Sequence, residues 1–176
     1  LAAAYGAAVI KAGHQPILRD LYRMNFDPCL RTGEIPGAPG FAPAPDAKTE
    51  RGLIADAGVF VFVYPFWFNA PPAMLTGYID RVLGPGFGFA PGAWGSQPLL
   101  GGRGLINITA SGAPTEWIRQ TGAWDAMRKL FDEHIAALCG FEIIDHIHFG
   151  GVVPGMRKDA VERCCESVQR AVGAHF

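Results

Sequence analysis

Two short loops hold the residues whose types could do chemistry. The first follows an apolar run and contains three consecutive large aromatic residues: Pro65, Phe66, Trp67, Phe68 and Asn69. The second follows another apolar run and combines two hydroxyls with a glycine that allows close backbone approach: Thr109, Ala110, Ser111 and Gly112. Together they predict an apolar slot with a few convergent polar groups, which suits a flat heteroaromatic ligand.

A flavin ring has apolar faces and a polar edge of nitrogens and carbonyls, so it is the ligand that these loops favour. The aromatic residues alone suit a plain core or a subunit contact equally well. A metal site at His146 and His148, which alternate beside Asp145, is less favoured because no third ligand has a suitable spacing. The sequence contains no nucleotide-binding GxGxxG, P-loop, GxSxG or HExxH motif, so an enzyme of this kind would take its chemistry from a cofactor.

Composition narrows the functional class. The 176 residues suit one domain, residues 1 to 176, with 49% hydrophobic and 18% charged residues. A net charge of -1 predicts no nucleic-acid partner. No apolar run is long enough for membrane insertion, and no metal site is predicted. The four cysteines lack the density of a secreted scaffold and no export signal is predicted, so we expect free thiols in a cytoplasmic protein.

Strand and helix patterns alternate along the chain. The sequence predicts strands at 15–20, 59–64, 104–109 and 142–149. It predicts helices at 1–12, 48–56, 72–83, 116–138 and 158–173. Residues 31–47 are rich in Gly and Pro and are predicted to form an ordered excursion or loop. Residues 84–103 are also rich in Gly and Pro and are predicted to be mostly loop. This alternation indicates an α/β fold with a parallel sheet, in which ligands bind beyond the carboxyl ends of the strands, where both loops lie.

Four segments resemble the NAD(P)H:quinone oxidoreductase family, whose members include the DT-diaphorases and the modulator-of-drug-activity reductases. They are DLYRMNFDP (20–28), YPFWFNAPPAMLTGYIDRVLGPGFGF (64–89), ITASGAP (108–114) and CGFEIIDHIHFGG (139–151). The resemblance implies a flavodoxin-like, doubly wound sheet of five parallel strands in the order 2-1-3-4-5.

The resemblance also implies a mechanism and a set of site residues. A homodimer would bind FAD, or alternatively FMN, and pass a hydride from NAD(P)H through the flavin to a quinone-like acceptor. Pro65 to Asn69 would line the flavin ring, and Thr109 to Gly112 would contact its polar edge. The substrate pocket would contain Phe89, Trp117, Gly150 and Gly151.

The chain departs from the family in two places. Animal members carry a Tyr and a His after the second loop, whereas this chain has Trp117 at the Tyr position and no His between His14 and His134. Stabilisation of the reduced cofactor is therefore expected from backbone amides or a hydroxyl. The chain also starts inside the family's first helix, so we expect roughly 20 to 25 preceding residues that supply the first strand and the phosphate loop.

Three other functions share this fold. An electron-carrier flavodoxin is disfavoured because such carriers tend to be strongly acidic. A flavin-binding regulatory subunit of a potassium-efflux transporter and an azo- or nitro-compound reductase remain alternatives.

Overall fold

A computed structural model describes residues 1–93 and 95–176. Its helices are α1 (Ala2–Lys11), α2 (Pro45–Leu53), α3 (Ala73–Val82), α4 (Thr115–Gln120), α5 (Ala123–Met127), α6 (His134–Cys139) and α7 (Lys158–His175). Its strands are β1 (Val59–Pro65), β2 (Phe89–Gly92), β3 (Gly95–Pro98), β4 (Gly104–Ala110) and β5 (Glu142–Phe149). A π-helical segment, Arg128–Glu133, joins α5 to α6.

The central sheet is parallel and has the order β1-β4-β5. Val59 pairs with Gly104, and Gly104 pairs with Glu142, so the carboxyl ends of the three strands lie at one edge. The middle strand, β4, is buried along almost its whole length because helices cover both faces of the sheet. This arrangement confirms the predicted flavodoxin-like α/β class, and the strand order matches the last three positions of the predicted order.

An apolar cluster lies on each face of the sheet. On one face, Ile106 and Ile108 pack with α1 and α7. On the other face, Phe60, Phe62 and Leu105 pack against α3 and the helical stretch from α5 to α6. Alternate residues of β4 therefore point to opposite faces, which places Asn107 and Thr109 on the same side as Leu105.

The predicted strand at 15–20 is wrong. This segment forms no strand, and Arg19 binds the Glu50 carboxylate of α2 through two hydrogen bonds. In the predicted order, another strand separates this segment from β1, and the described residues contain no such strand. Without a ladder partner the segment cannot join the sheet, so the five-strand count stays a prediction.

Two other segments differ from the predicted elements. The helix expected over 116–138 is divided, because Gly122 adopts a left-handed conformation with φ of 74° and the chain then continues through the π-helical segment. The region expected to be mostly loop contains the antiparallel hairpin of β2 and β3. The other predicted strands and helices are confirmed within three residues at their ends.

An ion network fixes the Pro- and Gly-rich excursion to the helical layer. The Arg81 side chain, which is fully buried on α3, donates to both Glu34 carboxylate oxygens at 2.9 and 3.2 Å and to Asp46 at 2.7 Å. Burial alone would raise the pKa of Glu34, but hydrogen bonds from Arg81 and from the backbone of Arg31 and Ala44 lower it. The excursion is therefore ordered, as expected.

Among the described residues, no helix combines the length and the apolar character that crossing a bilayer requires.

Candidate functional site

The first loop forms a tight, strained turn at the carboxyl end of β1. The Trp67 and Ala70 backbones exchange hydrogen bonds of 3.1 and 3.0 Å, and the two residues between them, Phe68 and Asn69, have φ of 53° and 56°. These features define a type I′ turn, which normally selects Gly or Asn at both central positions. A phenylalanine in this conformation is strained, and such strain clusters at functional sites.

The three aromatic residues have different surroundings. Phe66 is buried, and its ring stacks on His148 with centroids 4.9 Å apart. Trp67 is 56% exposed and Phe68 is fully exposed. Pro65 and Asn69 are also exposed. The turn therefore presents two aromatic side chains to the space beyond the sheet, while Phe66 fixes the turn to the protein.

The second loop lies beside the first and is held by the segment that follows β5. The Phe66 amide donates to the Ala110 carbonyl at 2.7 Å, which joins the two loops. The Ser111 amide donates to the Phe149 carbonyl at 2.9 Å, and the Gly151 amide donates to the Ala113 carbonyl at 3.0 Å. The predicted cofactor-binding loops and the Gly150–Gly151 pair therefore form one continuous surface.

Two glycines in this surface have opposite roles. A Cβ at Gly150 would lie 2.2 Å from the Thr115 nitrogen, so a side chain there would separate β5 from the second loop. A Cβ at Gly112 would meet nothing closer than 4.0 Å, so this position is open toward a ligand. Gly150 therefore keeps the loop in place, and Gly112 leaves space beside it.

A chain of buried and partly buried polar side chains runs from the helical layer to the second loop. Asp132, in the π-helical segment, binds His146 Nδ1 at 2.6 Å and accepts from Asn107 at 2.9 Å. The Thr109 hydroxyl lies 2.9 Å from both His146 Nε2 and His148 Nδ1. Ser111 Oγ lies 3.1 Å from His148 Nε2 and donates to the Ala113 carbonyl at 2.8 Å.

Sequence reasoning missed most of this chain. It selected Thr109 and Ser111 but set the two histidines aside and did not consider Asp132. The histidines use their ring nitrogens for these hydrogen bonds, and the described residues contain no cluster of three metal-ligating side chains. The available signal was the register: β4 pairs Asn107 with His146 and Thr109 with His148, so polar residues of an otherwise apolar strand face the histidines.

The environment of this chain favours neutral His148. Burial, followed by the nearby His146 and Arg119, lowers the pKa of His148 to about 4. Burial and the Asp132 carboxylate raise the pKa of Tyr64, which lines the same region, above its ordinary value. The site therefore combines apolar aromatic side chains with a largely buried chain of polar groups.

The two predicted aromatic substrate residues lie away from this chain. Trp117 is half exposed on α4, directly after the second loop. Phe89 begins the hairpin, where its carbonyl accepts from the Gly86 amide at 2.8 Å. In the described part of the chain, no hydrogen bond or ring contact joins Phe89 to either loop.

A cleft of about 340 Å³ lies at the ion network instead, where Asp27, Asp46 and Glu50 line it. All three carboxylates are paired with arginines, so this cleft has a structural explanation. The exposed aromatic turn and the polar chain, which carry reactive side chains, are the better candidate for a functional site.

Comparison with known proteins identifies the family and the fold. A family model described as the flavodoxin-like fold matches residues 1–172. An uncharacterized NAD(P)H oxidoreductase of Haemophilus influenzae is 29% identical over 140 residues, which cover 80% of this chain and 69% of that protein. The ribosyldihydronicotinamide dehydrogenase [quinone] of Mus musculus is 29% identical over 161 residues, which cover 80% and 70%.

A solved structure gives the same result. The NAD(P)H:quinone oxidoreductase from Methanothermobacter marburgensis has a TM-score of 0.83 at 27% identity, and the match covers 97% of this chain and 87% of that one. The chain therefore belongs to the flavodoxin-like fold family, as an oxidoreductase of the NAD(P)H:quinone reductase type.

Proposed function

We propose that this protein is a flavin-dependent NAD(P)H oxidoreductase that reduces a quinone or a similar acceptor by two electrons. The observation that carries the proposal is the strained turn that exposes Trp67 and Phe68 beside the second loop. An exposed aromatic pair held at a conformational cost is explained if a flat ligand covers it in the working enzyme.

The residues present fit a flavin. Phe68 and Trp67 supply apolar surface for the face of the ring. Gly112 leaves room for close approach of the ring edge, and Ser111 supplies a hydroxyl next to it. The group held there would be FAD, or alternatively FMN, and the choice depends on contacts beyond the ring.

The bound cofactor would supply hydride transfer from NAD(P)H to the acceptor. The chain's own residues would position the reactants and exclude water. Trp117, which is half exposed after the second loop, would cover one side of the substrate pocket, and Gly150 would keep that loop close to β5. Phe89 lies outside this surface, so we propose that it completes the substrate pocket of a partner subunit in a cytoplasmic homodimer.

An anaerobic titration of the purified full-length protein tests the proposal. We expect the visible absorbance bands of a bound flavin, which disappear on addition of NAD(P)H and return on addition of a quinone. A colourless protein that takes up neither FAD nor FMN would overturn the assignment. If the protein binds flavin but the flavin is not reduced by NAD(P)H, the cofactor assignment stands and the proposed reaction is excluded.

A further inference from the structure

The hydrogen bonds of the polar chain between Asp132 and the second loop need a definite number of hydrogens, which can be compared with the number that its side chains supply. The chain contains five contacts, and each needs one hydrogen: Asp132 to His146, His146 to Thr109, Thr109 to His148, His148 to Ser111, and Ser111 to the Ala113 carbonyl. Two neutral imidazoles and two hydroxyls supply four hydrogens. The chain is therefore completely hydrogen-bonded only when it carries one additional proton.

The hydrogen-bond partners determine where that proton resides. Asp132 as a carboxylate accepts from His146 Nδ1, so the added proton is on His146 Nε2 and faces Thr109. Thr109 then donates to His148 Nδ1, and His148 Nε2 donates to Ser111. Without the added proton, the three hydrogen bonds between His146 and Ser111 run in the opposite direction. Ser111 then donates to His148 Nε2 and no longer donates to the Ala113 carbonyl. The two states therefore differ at the four links from His146 to the Ala113 carbonyl, whereas the hydrogen bond from His146 to Asp132 is the same in both.

The two ends of the chain lie in different environments. At the inner end the Asp132 side chain is fully buried, the His146 side chain is 2% exposed, and Arg128 Nε lies 3.9 Å from the carboxylate. At the outer end, Ser111 lies next to the open position at Gly112. The chain thus joins the buried Asp132–His146 pair to the surface that the proposed function assigns to the cofactor.

We infer that Asp132, His146, Thr109, His148 and Ser111 form a proton relay, which holds one proton on His146 and delivers it at the Ser111 end. The inference rests on the proposed function, in which NAD(P)H, a quinone and one proton yield NAD(P)⁺ and a hydroquinone. The hydride comes from NAD(P)H. The proton leaves His146 Nε2 for Thr109, Thr109 passes its own hydrogen to His148 Nδ1, and the Nε2 hydrogen of His148 leaves through Ser111. After the product leaves, a proton from solvent enters at the Ser111 end and returns to His146 along the same chain.

The side chains around the chain suit a relay in which the proton moves only along these hydrogen bonds. Trp124 packs against His146 with ring centroids 4.7 Å apart, and Phe66 stacks on His148, so an aromatic ring covers one side of each imidazole. The groups that face the chain are Asp132, Arg128 and Tyr64 at the inner end and Arg119 at the outer end. Because the pKa of His148 is lowered to about 4, His148 transfers the proton without retaining it.

Replacement of Thr109 tests the relay, since its hydroxyl is the link between the two histidines. Thr109→Val removes the hydroxyl at nearly constant volume, and Thr109→Ser keeps it. In stopped-flow experiments on the full-length flavin-loaded protein, we expect Thr109→Val to slow the return of absorbance with quinone by about 100-fold, the lower part of the range for a positioned proton donor. Bleaching by NAD(P)H, which transfers only a hydride, is expected to change little. Thr109→Ser is expected to restore most of the quinone step.

Histidine nitrogen NMR of the flavin-free protein gives a readout that is independent of turnover. We expect His148 to change from the Nδ1–H to the Nε2–H tautomer when His146 gains its proton, in the wild type and in Thr109→Ser but not in Thr109→Val. A tautomer of His148 that is independent of His146 in the wild type would overturn the relay. Equal rates of quinone reduction in the Val and Ser variants would also overturn it, while the proposed function stands. Failure to take up flavin would overturn the proposed function, whatever the histidines show.

Discussion

Replacement of Phe68 separates the strain in the first loop from its use in binding. Because Phe68 is fully exposed, Phe68→Ala removes no buried surface and is expected to change the free energy of unfolding by no more than about 0.5 kcal/mol. Phe68→Gly also relieves the left-handed conformation, which costs an L-residue about 1–2 kcal/mol. The greater freedom of glycine in the unfolded chain offsets about 0.5–1 kcal/mol of this gain. Phe68→Gly is therefore expected to be about 0.5–1 kcal/mol more stable than Phe68→Ala.

Both variants are expected to bind flavin more weakly. One face of a phenylalanine ring amounts to about 100 Å², half of the surface that an aromatic side chain can bury. At about 25 cal/mol per Å², loss of that contact weakens binding by about 2.5 kcal/mol, or about 60-fold in Kd. The ring thus contributes to affinity while its backbone conformation lowers stability.

Two measurements check these expectations. Urea denaturation of the flavin-free full-length protein gives the stability of each variant, and quenching of flavin fluorescence gives the Kd. Ile10→Ala, which also removes an exposed apolar side chain but lies on α1, is the control and is expected to leave the Kd unchanged. A loss of more than about 2 kcal/mol of stability in Phe68→Ala would show that the ring packs on the protein. Unchanged flavin affinity in both variants would remove Phe68 from the proposed site.

Two further predictions concern the supports of the site. Arg81→Met leaves Glu34 buried without its partner and is expected to lower the free energy of unfolding by about 3–5 kcal/mol at pH 7. Because the folded-state pKa of Glu34 is depressed, its contribution is present above its unfolded pKa and is lost as the pH falls through the folded value, so urea denaturation should show a smaller effect of Arg81→Met in acid. Gly150→Ala is expected to cost about 1–3 kcal/mol and to weaken flavin binding, because its Cβ would overlap Thr115, whereas Gly112→Ala should leave urea denaturation nearly unchanged.

Local patterns were sufficient to predict most of the fold. The uninterrupted apolar run 59–64 predicted a strand that is covered on both faces, but only one face is buried throughout: Phe60, Phe62 and Tyr64 are buried, whereas Val63 is 38% exposed. The strand that is buried on both faces is β4. The segment 15–20, QPILRD, was also predicted to be a strand but forms none. Strand formation depends on a neighbouring strand, which the pattern of one segment does not encode. The π-helical segment was likewise not predictable, because no residue pattern in 116–138 indicates it.

The position of the two loops at the ends of predicted strands was sufficient to predict part of the site. The rule that ligands bind beyond the carboxyl ends of parallel strands selected both loops, and the structure places them side by side. It did not distinguish the buried ring of Phe66 from the exposed ring of Phe68, since that difference comes from the turn geometry. The polar chain needs the pairing of β4 with β5 and the placement of Asp132 by a separate helix, so it emerges only in three dimensions.

The energetic cost of the polar chain is itself an argument for its role. An apolar residue at Asn107 or Thr109 would pack into the same sheet without the penalty of burying a polar group. Instead β4 holds both, and the π-helical segment places the fully buried Asp132 carboxylate against them. The side-chain oxygen of Asn107 has no hydrogen-bond partner in the described part of the chain. Trp117, at the position where the resemblance places a tyrosine, cannot donate a phenolic proton. A protein that needs a proton at the second loop can supply it from β5 instead, and this need explains why the two histidines, the threonine and the carboxylate lie on one face of the sheet.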